Sequence, residues 1–249
     1  MKINKKLINL IGILIIGLLW VILSQNNAFF PSILQVFYQF CTNLVNKLVI
    51  SSFLCTILRG FLAFLISLLL GYILAYISYK SEIFKELISP LISFLRSIPT
   101  ISVIIIVIMI VDLKLISYTI VSLIIFPMIY QNLLYSFENI DNELLMINKI
   151  DNINPIKNFF LFIFPITLPG LLNAIIQTLG LSIKIQIMSE ILTGSTKIKG
   201  IGLLLNNYRT NLEIENVFAL TLMIILFVYI IELLVKKIKK LIKYLFVNK

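Results

Sequence analysis

The sequence predicts an all-α integral membrane protein with about six transmembrane helices. Of its 249 residues, 60% are hydrophobic and only 13% are charged, and the mean hydropathy is +1.06. Soluble domains are about half apolar and about a quarter charged. The apolar residues also fall in runs of roughly 18 to 25 residues, long enough for a helix to cross about 30 Å of hydrocarbon. The lipid bilayer is therefore the expected surroundings of the chain.

The apolar runs give the predicted spans, which are Leu7–Leu23, Leu54–Ser78, Leu87–Val111, Leu115–Tyr135, Phe159–Ser182 and Val217–Val235. The first run follows Lys2, Lys5 and Lys6, which is the charge order of a signal peptide, but no small-x-small cleavage pattern comes after it. We therefore expect the first helix to be retained. Nothing marks a second domain, so residues 1–249 are predicted to form a single transmembrane domain.

The distribution of basic residues predicts the orientation. Lysines gather before the first predicted span and after the last one. Because the cytoplasmic loops of membrane proteins carry an excess of Lys and Arg, both termini are predicted to be cytoplasmic. The bias toward Ile, Leu, Asn and Lys is typical of an AT-rich genome. We expect a multi-pass protein of the cell (inner or plasma) membrane of an AT-rich bacterium.

Several classes of function are disfavoured by composition. The 21 Lys and Arg residues lie mostly at predicted helix ends, so nucleic acid is not an expected partner. The chain has no histidine, which removes the commonest nucleophile activation and zinc sites. Cys41 and Cys55 are weak evidence for a disulfide or a metal site, and whether they pair stays open. The stretch Gly194–Lys197 lacks the residue order of a phosphate loop. The chain is therefore predicted not to be an enzyme and to bind no metal or cofactor.

Three joints between the predicted spans are long. The first, Gln25–Phe53, is apolar enough to predict a short helix along the membrane surface. The second, Ser136–Asn158, is rich in Asp, Glu and Asn and is predicted to be cytoplasmic; it is called the polar segment below. The third, Ile183–Asn216, is predicted to be external and contains Glu190.

The polar segment has the pattern of two short helices joined by a turn. Asp141 can cap a helix that runs to Asn148, whose acidic first turn suits the helix dipole. Asn152 can adopt a left-handed turn conformation, and Pro155 can open a second helix. A plain solvated connector is the alternative.

Two prolines, Pro165 and Pro169, lie inside the apolar run that follows the polar segment. Proline removes a backbone N–H and costs a helix interior about 3 kcal/mol. The pair is predicted to bend or open the span, with a simple kink as the alternative.

Taken together, residues Asp141–Glu190 resemble the cytoplasmic signature of binding-protein-dependent ABC transporter permeases, particularly the branch of nitrate, sulfonate and taurine importers. At the family's spacing, Asn152 takes the place of its turn glycine and Phe159 that of its aromatic residue. Its proline motif is matched by Pro165, Leu168, Pro169 and Gly170. The resemblance covers about residues 54–240, with further matching stretches at Thr56–Phe61, Arg96–Pro99, Phe126–Pro127 and Val217–Ala219.

The resemblance implies a type I ABC importer permease fold and function. Such a subunit translocates a small solute, here nitrate-, sulfonate- or taurine-like or vitamin-precursor-like, that an extracytoplasmic binding protein delivers. ATP is hydrolysed by two copies of a separate ATPase subunit, so this chain itself is expected to bind no cofactor. A second permease subunit completes the pathway, and a homodimer is expected.

The resemblance also assigns roles to residues. The residues implied in ATPase docking are Asp141, Glu143, Leu144, Leu145, Met146, Ile147, Asn152 and Phe159. Met146 stands where the family has its signature Glu, which leaves the strength of coupling open. The residues implied in helix breaking and gating are Pro99, Pro127, Pro165, Pro169 and Gly170.

Polar residues within or beside the last apolar spans are candidate pathway residues: Asn173, Gln177, Lys184 and Glu190. A charge in lipid costs a few kcal/mol, so Lys184 and Glu190 are predicted to face each other, a vestibule or water. A structural pair and a substrate contact both stay open. Arg96 is predicted to snorkel at the cytoplasmic end of its span. A stand-alone secondary carrier or channel is the alternative function, although such proteins usually place ionisable residues in mid-membrane.

Overall fold

A computed structural model describes residues 5–26, 30–141, 154–194 and 199–247, and these residues are almost entirely helical. The helices are α1 (Lys5–Asn26), α2 (Ile33–Val45), α3 (Lys47–Lys80), α4 (Glu82–Ser97), α5 (Thr100–Ile110), α6 (Ile116–Glu138), α7 (Pro155–Asn158), α8 (Phe164–Thr193), α9 (Ile201–Thr210) and α10 (Ile214–Val247). A π-helical turn, Phe159–Ile163, joins α7 to α8. The predicted all-α fold is confirmed.

Four helical stretches are long and apolar enough to cross a membrane: α3, α6, the π-helical turn together with α8, and α10 as far as Leu241. Helices α4 and α5 pass the same test only as a pair, with a bend of 100° between them. The described residues therefore contain four or five candidate spans. The predicted first span, Leu7–Leu23, lies in α1, where Leu14–Asn26 is a shorter apolar stretch.

The predicted third span, Leu87–Val111, is wrong as a single helix. Helix α4 ends at Ser97, Ile98 has an extended backbone (φ −71°, ψ 128°), and α5 begins at Thr100. Pro99 explains the break, because proline pushes the preceding residue out of the helical region and lacks the N–H that would continue the helix. The chain turns through 100° here.

The long first joint contains α2, as predicted, although its position on a membrane surface stays a prediction. Ser32 and Gln35 form a reciprocal capping box at its start. Helix α3 begins at Lys47, earlier than the predicted Leu54. The cause is Asn46, whose side chain accepts a hydrogen bond from the N–H of Leu48 at 2.9 Å.

Helices α3, α6 and α8 pack together as the core of the bundle. Gly71 of α3 lies against Ile129 of α6. Helix α8 runs antiparallel to α6, because Asn132 of α6 meets Gln177 of α8 at 3.1 Å while Gly170 lies beside the end of α6. The end of the bundle at which α6 ends is called the Glu138 end below, and the opposite end, at which α8 ends, is called the Glu190 end.

The five predicted helix-breaking or gating positions differ in structure. The helix breaks at Pro99. Pro165 lies in the first turn of α8, directly after the π-helical turn. Helices α6 and α8 continue through Pro127 and Pro169, so the chain does not break there, and a bend or a simple kink at these prolines stays a prediction. Gly170 lies beside Ser136, and a role in gating stays a prediction for all five positions.

Most predicted docking residues lie outside the described residues, namely Glu143, Leu144, Leu145, Met146, Ile147 and Asn152. The polar segment is described at its two ends. Asp141 is the last described residue on one side. On the other, the ring of Phe159 packs edge-on against Tyr76 of α3, with ring centroids 4.9 Å apart. Tyr76 also contacts Phe137 at the end of α6 (5.8 Å), so both ends of the polar segment rest on α3.

Candidate functional site

A buried carboxylate, Glu190, joins three elements at the Glu190 end of the bundle. The side chain is 5% exposed and lies near the end of α8. Its Oε1 atom accepts hydrogen bonds from Arg59 of α3 (2.8 Å) and from Gln186 (2.9 Å). Its Oε2 atom accepts from the hydroxyl of Thr56 (2.7 Å) and from the backbone N–H of Gly202 (3.1 Å). All four partners are donors, as an ionised carboxylate requires.

The same residues of α3 also hold the start of α9. The hydroxyl oxygen of Thr56 accepts a hydrogen bond from the backbone N–H of Ile201 at 2.9 Å. Arg59 donates a further hydrogen bond to the backbone carbonyl of Lys199. The carboxylate, Thr56, Arg59 and the Lys199–Gly202 backbone form one connected network, called the Glu190 network below. This network fixes the segment before α9 to the ends of α3 and α8.

The Glu190 network decides between the alternatives for Lys184 and Glu190, which were predicted to face each other, a vestibule or water. Lys184 was expected to be a possible partner of Glu190, but the carboxylate pairs with Arg59. The physical reason is the helical register, since Lys184 and Glu190 are six positions apart and lie on different sides of α8. Sequence reasoning missed Thr56 and Arg59 as partners, because no local spacing links residues of α3 to residues of α8.

Glycine is required where the Lys199–Gly202 backbone passes over α8. A Cβ atom on Gly202 would overlap the backbone carbonyl oxygen of Ile187, and one on Gly200 would overlap the carboxylate of Glu190. We expect Gly202→Ala to destabilise the protein by about 2 kcal/mol, because the obstructing atom is backbone and cannot turn away. The thermal unfolding midpoint in detergent measures this loss. Gly17→Ala in α1 is the control, since nothing lies within 4 Å of its added Cβ; equal midpoints for the two variants would contradict the close approach.

The three other candidate pathway residues are exposed and share one face of α8. Asn173, Gln177 and Lys184 are spaced so that they fall within a narrow arc of a helix with 3.6 residues per turn. Gln177 accepts a hydrogen bond from Asn132 of α6 at 3.1 Å, and Asn173 accepts one from Lys239 of α10. The predicted pathway residues other than Glu190 are therefore brought together as one polar stripe.

The stripe leads to a cavity of about 490 Å³ between α4, α5, α6 and α8. Two cations line it, Lys184 and Arg96, together with Thr100 at the start of α5. Ile124 and Met128, from the middle of α6, form part of its wall, so the cavity lies near mid-height of the bundle. Arg96 donates a hydrogen bond to the amide oxygen of Gln131 of α6, and its snorkelling at a membrane surface stays a prediction.

Comparison with known proteins gives a family and a fold. Residues 67–244 match the family described as "Binding-protein-dependent transport system inner membrane component". Two crystal forms of the inward-facing MetNI methionine ABC transporter are similar in structure. The first has a TM-score of 0.68 and 17% sequence identity, and the match covers 78% of this chain and 96% of that chain. The second has a TM-score of 0.62 and 18% sequence identity, and the match covers 76% of this chain and 91% of that chain. No curated protein matches the sequence significantly. At such identities the likeness to MetNI shows a shared fold.

Proposed function

The chain belongs to the family of binding-protein-dependent transport system inner membrane components, and from this premise we propose that it is the transmembrane permease subunit of an ATP-driven importer. The observation that carries the proposal is the family match over residues 67–244, which contains α6, α8, most of α10 and the whole polar segment between α6 and α8. Membership of this family makes the chain a permease component and not an enzyme.

The polar segment is proposed as the docking site for the ATPase subunits. A segment that transmits motion must be fixed firmly to the spans at both ends. Here Phe137, at the start of the segment, is fully buried and contacts Tyr76 of α3, and Phe159, directly after the segment, packs against the same tyrosine. Aromatic pairs of this kind contribute about 0.5 to 1.5 kcal/mol beyond the area they bury. Movement of the segment would therefore be passed to α3, α6 and α8 together.

The family match supports the proposed partners. We propose two ATPase subunits at the Glu138 end, which would then be the cytoplasmic end, and a second copy of this chain as the other permease subunit. An extracytoplasmic binding protein would deliver the solute at the Glu190 end. ATP and the loaded binding protein must favour the same outward-open state if hydrolysis is to drive import. The solute is proposed to be nitrate-, sulfonate- or taurine-like or vitamin-precursor-like.

Co-purification tests the docking proposal. We expect an ATPase subunit to be isolated with the tagged full-length chain from native membranes. Replacing residues 141–154 by a Gly/Ser linker of equal length should abolish this association, because the docking surface is removed. A matched linker in place of residues 25–32, which lie outside the polar segment, should leave it intact. Retention of the ATPase by the first variant, or its absence from the unaltered chain, would contradict the proposal.

A further inference from the structure

We propose that the cavity bounded by Arg96 and Lys184 is a binding site for a small organic anion on the transport pathway, an inference that rests on the proposed permease function. The sequence left a substrate contact open for Lys184, but it did not place Arg96 at the same site. The bend at Pro99 and the register of α8 bring the two cations to one cavity.

The positive charge of the cavity is not balanced by the protein. Within the described part of the chain, Lys184 forms no ion pair and no hydrogen bond, and Arg96 forms no ion pair and donates a side-chain hydrogen bond only to the neutral amide of Gln131. The described residues that line the cavity include no acid. An anionic ligand would supply the missing charge.

The acids of the neighbouring spans are engaged elsewhere. Glu190, the next charged residue along α8, pairs with Arg59 at 2.8 Å. Glu138 of α6 pairs with Lys85 at 2.9 Å. In α10, Glu232 lies 3.8 Å from Lys236. Each of these carboxylates has a cation nearby, although Glu138 shares Lys85 with Glu82 of α4, and none of the three lines the cavity.

The cavity lies near mid-height of the bundle. Its wall includes Ile124 and Met128 from the middle of a span that is long enough to cross the bilayer. Ionisable groups at that depth are costly and usually line a substrate path or a water-filled cavity. A lipid headgroup lies at the membrane surface, so this depth favours a transported solute over a lipid.

The chemistry of the lining indicates an organic anion with an oxyanion group. The guanidinium of Arg96 can hold a carboxylate or sulfonate through two parallel hydrogen bonds, and the ammonium of Lys184 adds a point charge. Thr100 begins α5, an 11-residue helix whose N-terminal peptide groups favour negative charge. Met128 and Met188 offer apolar surface to the rest of the ligand. The volume of about 490 Å³ suits a small molecule.

Cysteine labelling measures the charge preference of the cavity directly. In the full-length chain with Cys41→Ser and Cys55→Ser, a Met188→Cys reporter is reacted with an anionic sulfonatoethyl methanethiosulfonate and with its cationic trimethylammonioethyl counterpart. We expect the ratio of the anionic to the cationic rate to be at least about tenfold higher at this reporter than at the exposed Cys41 of a separate chain that carries only Cys55→Ser. A ratio equal to that at Cys41, or below it, would overturn the proposal.

Substitutions assign the preference to the two cations. Lys184→Gln and Arg96→Gln should each lower the rate ratio severalfold, whereas Lys184→Arg, which keeps the charge, should preserve it. Lys114→Gln, in the exposed turn between α5 and α6, should leave the ratio unchanged. A rate ratio that neither Lys184→Gln nor Arg96→Gln changes would overturn the assignment. The Lys184→Arg variant is the control for a general loss of folding.

Protection experiments distinguish a solute from a lipid. Isethionate, a small organosulfonate, should slow labelling of the reporter, whereas choline should not. Protection by phosphatidylglycerol in the absence of any effect of isethionate would overturn the solute site. The labelling needs neither ATPase nor binding protein. An anion preference at the reporter without a co-purifying ATPase would therefore reject the proposed importer and support the anion site. A co-purifying ATPase without an anion preference would reject the anion site alone.

Discussion

Replacing Glu190 by alanine is expected to lower the thermal unfolding midpoint of the protein in detergent by roughly 10 °C. The carboxylate is buried and accepts hydrogen bonds from Thr56, Arg59, Gln186 and the Gly202 backbone. Its removal leaves Arg59 without its counter-charge and frees the segment before α9. Breaking a buried pair by removing one partner costs about 3 to 5 kcal/mol.

The isosteric variant Glu190→Gln should also be impaired. An amide has one oxygen and one NH₂ group, whereas every partner of Glu190 donates a hydrogen bond. Whichever way the amide is turned, its NH₂ group faces either the guanidinium of Arg59 or the N–H of Gly202. We therefore expect a midpoint well below that of the unaltered protein.

The control for both variants is Glu82→Ala, which removes a carboxylate from an exposed pair. Glu82 lies 3.1 Å from Lys85, and its side chain is 71% exposed. Exposed ion pairs contribute about 0 to 1 kcal/mol, so the midpoint should shift little. A Glu190→Ala variant that unfolds at the temperature of the Glu82→Ala control would contradict the structural role given to the Glu190 network.

Gly71→Val is expected to cost about 3 kcal/mol or to prevent accumulation of the folded protein, because it overpacks the contact between α3 and α6. An added Cβ would lie 2.7 Å from Cγ2 of Ile129 and 3.2 Å from the backbone nitrogen of Tyr130. Ile129 is itself fully buried and cannot move aside. Membrane helices approach closely through such small residues. The folded yield and the unfolding midpoint in detergent measure the effect.

Gly12→Val in α1 is the matched control, since no atom lies within 4 Å of the Cβ position there. This variant changes the helix propensity by the same small amount, but its added side chain overlaps no neighbouring atom. If both variants fold equally well, the close approach of α3 to α6 is wrong.

The spans could be predicted from the sequence because lipid exposure imposes long apolar runs, and α3, α6 and α8 all lie in such runs. Their ends depend on local capping, which is harder to read. Asn46, for example, starts α3 well before its apolar stretch. The resemblance implied a helix-breaking role for Pro99, but the apolar residues on either side favoured one span, Leu87–Val111, in place of the two helices α4 and α5.

The candidate sites were less predictable, because their residues come from different helices. The pattern along α8 was sufficient to single out Asn173, Gln177 and Lys184 as polar positions in apolar surroundings. It could not show that Arg59, 131 positions from Glu190, supplies the counter-charge. Nor could it place Arg96 and Lys184 on the same cavity, since the helix that carries Arg96 is followed by the 100° bend.

Solute uptake by proteoliposomes tests the central claim most directly. The assembly isolated through this chain is reconstituted, with ATP or ADP supplied on the side of the polar segment, and uptake of radiolabelled sulfonates, nitrate analogues and vitamin precursors is screened. We expect the assembly to take up at least one solute with ATP and not with ADP, and we expect no uptake by the purified chain alone. Equal uptake by the chain without any ATPase subunit would contradict it.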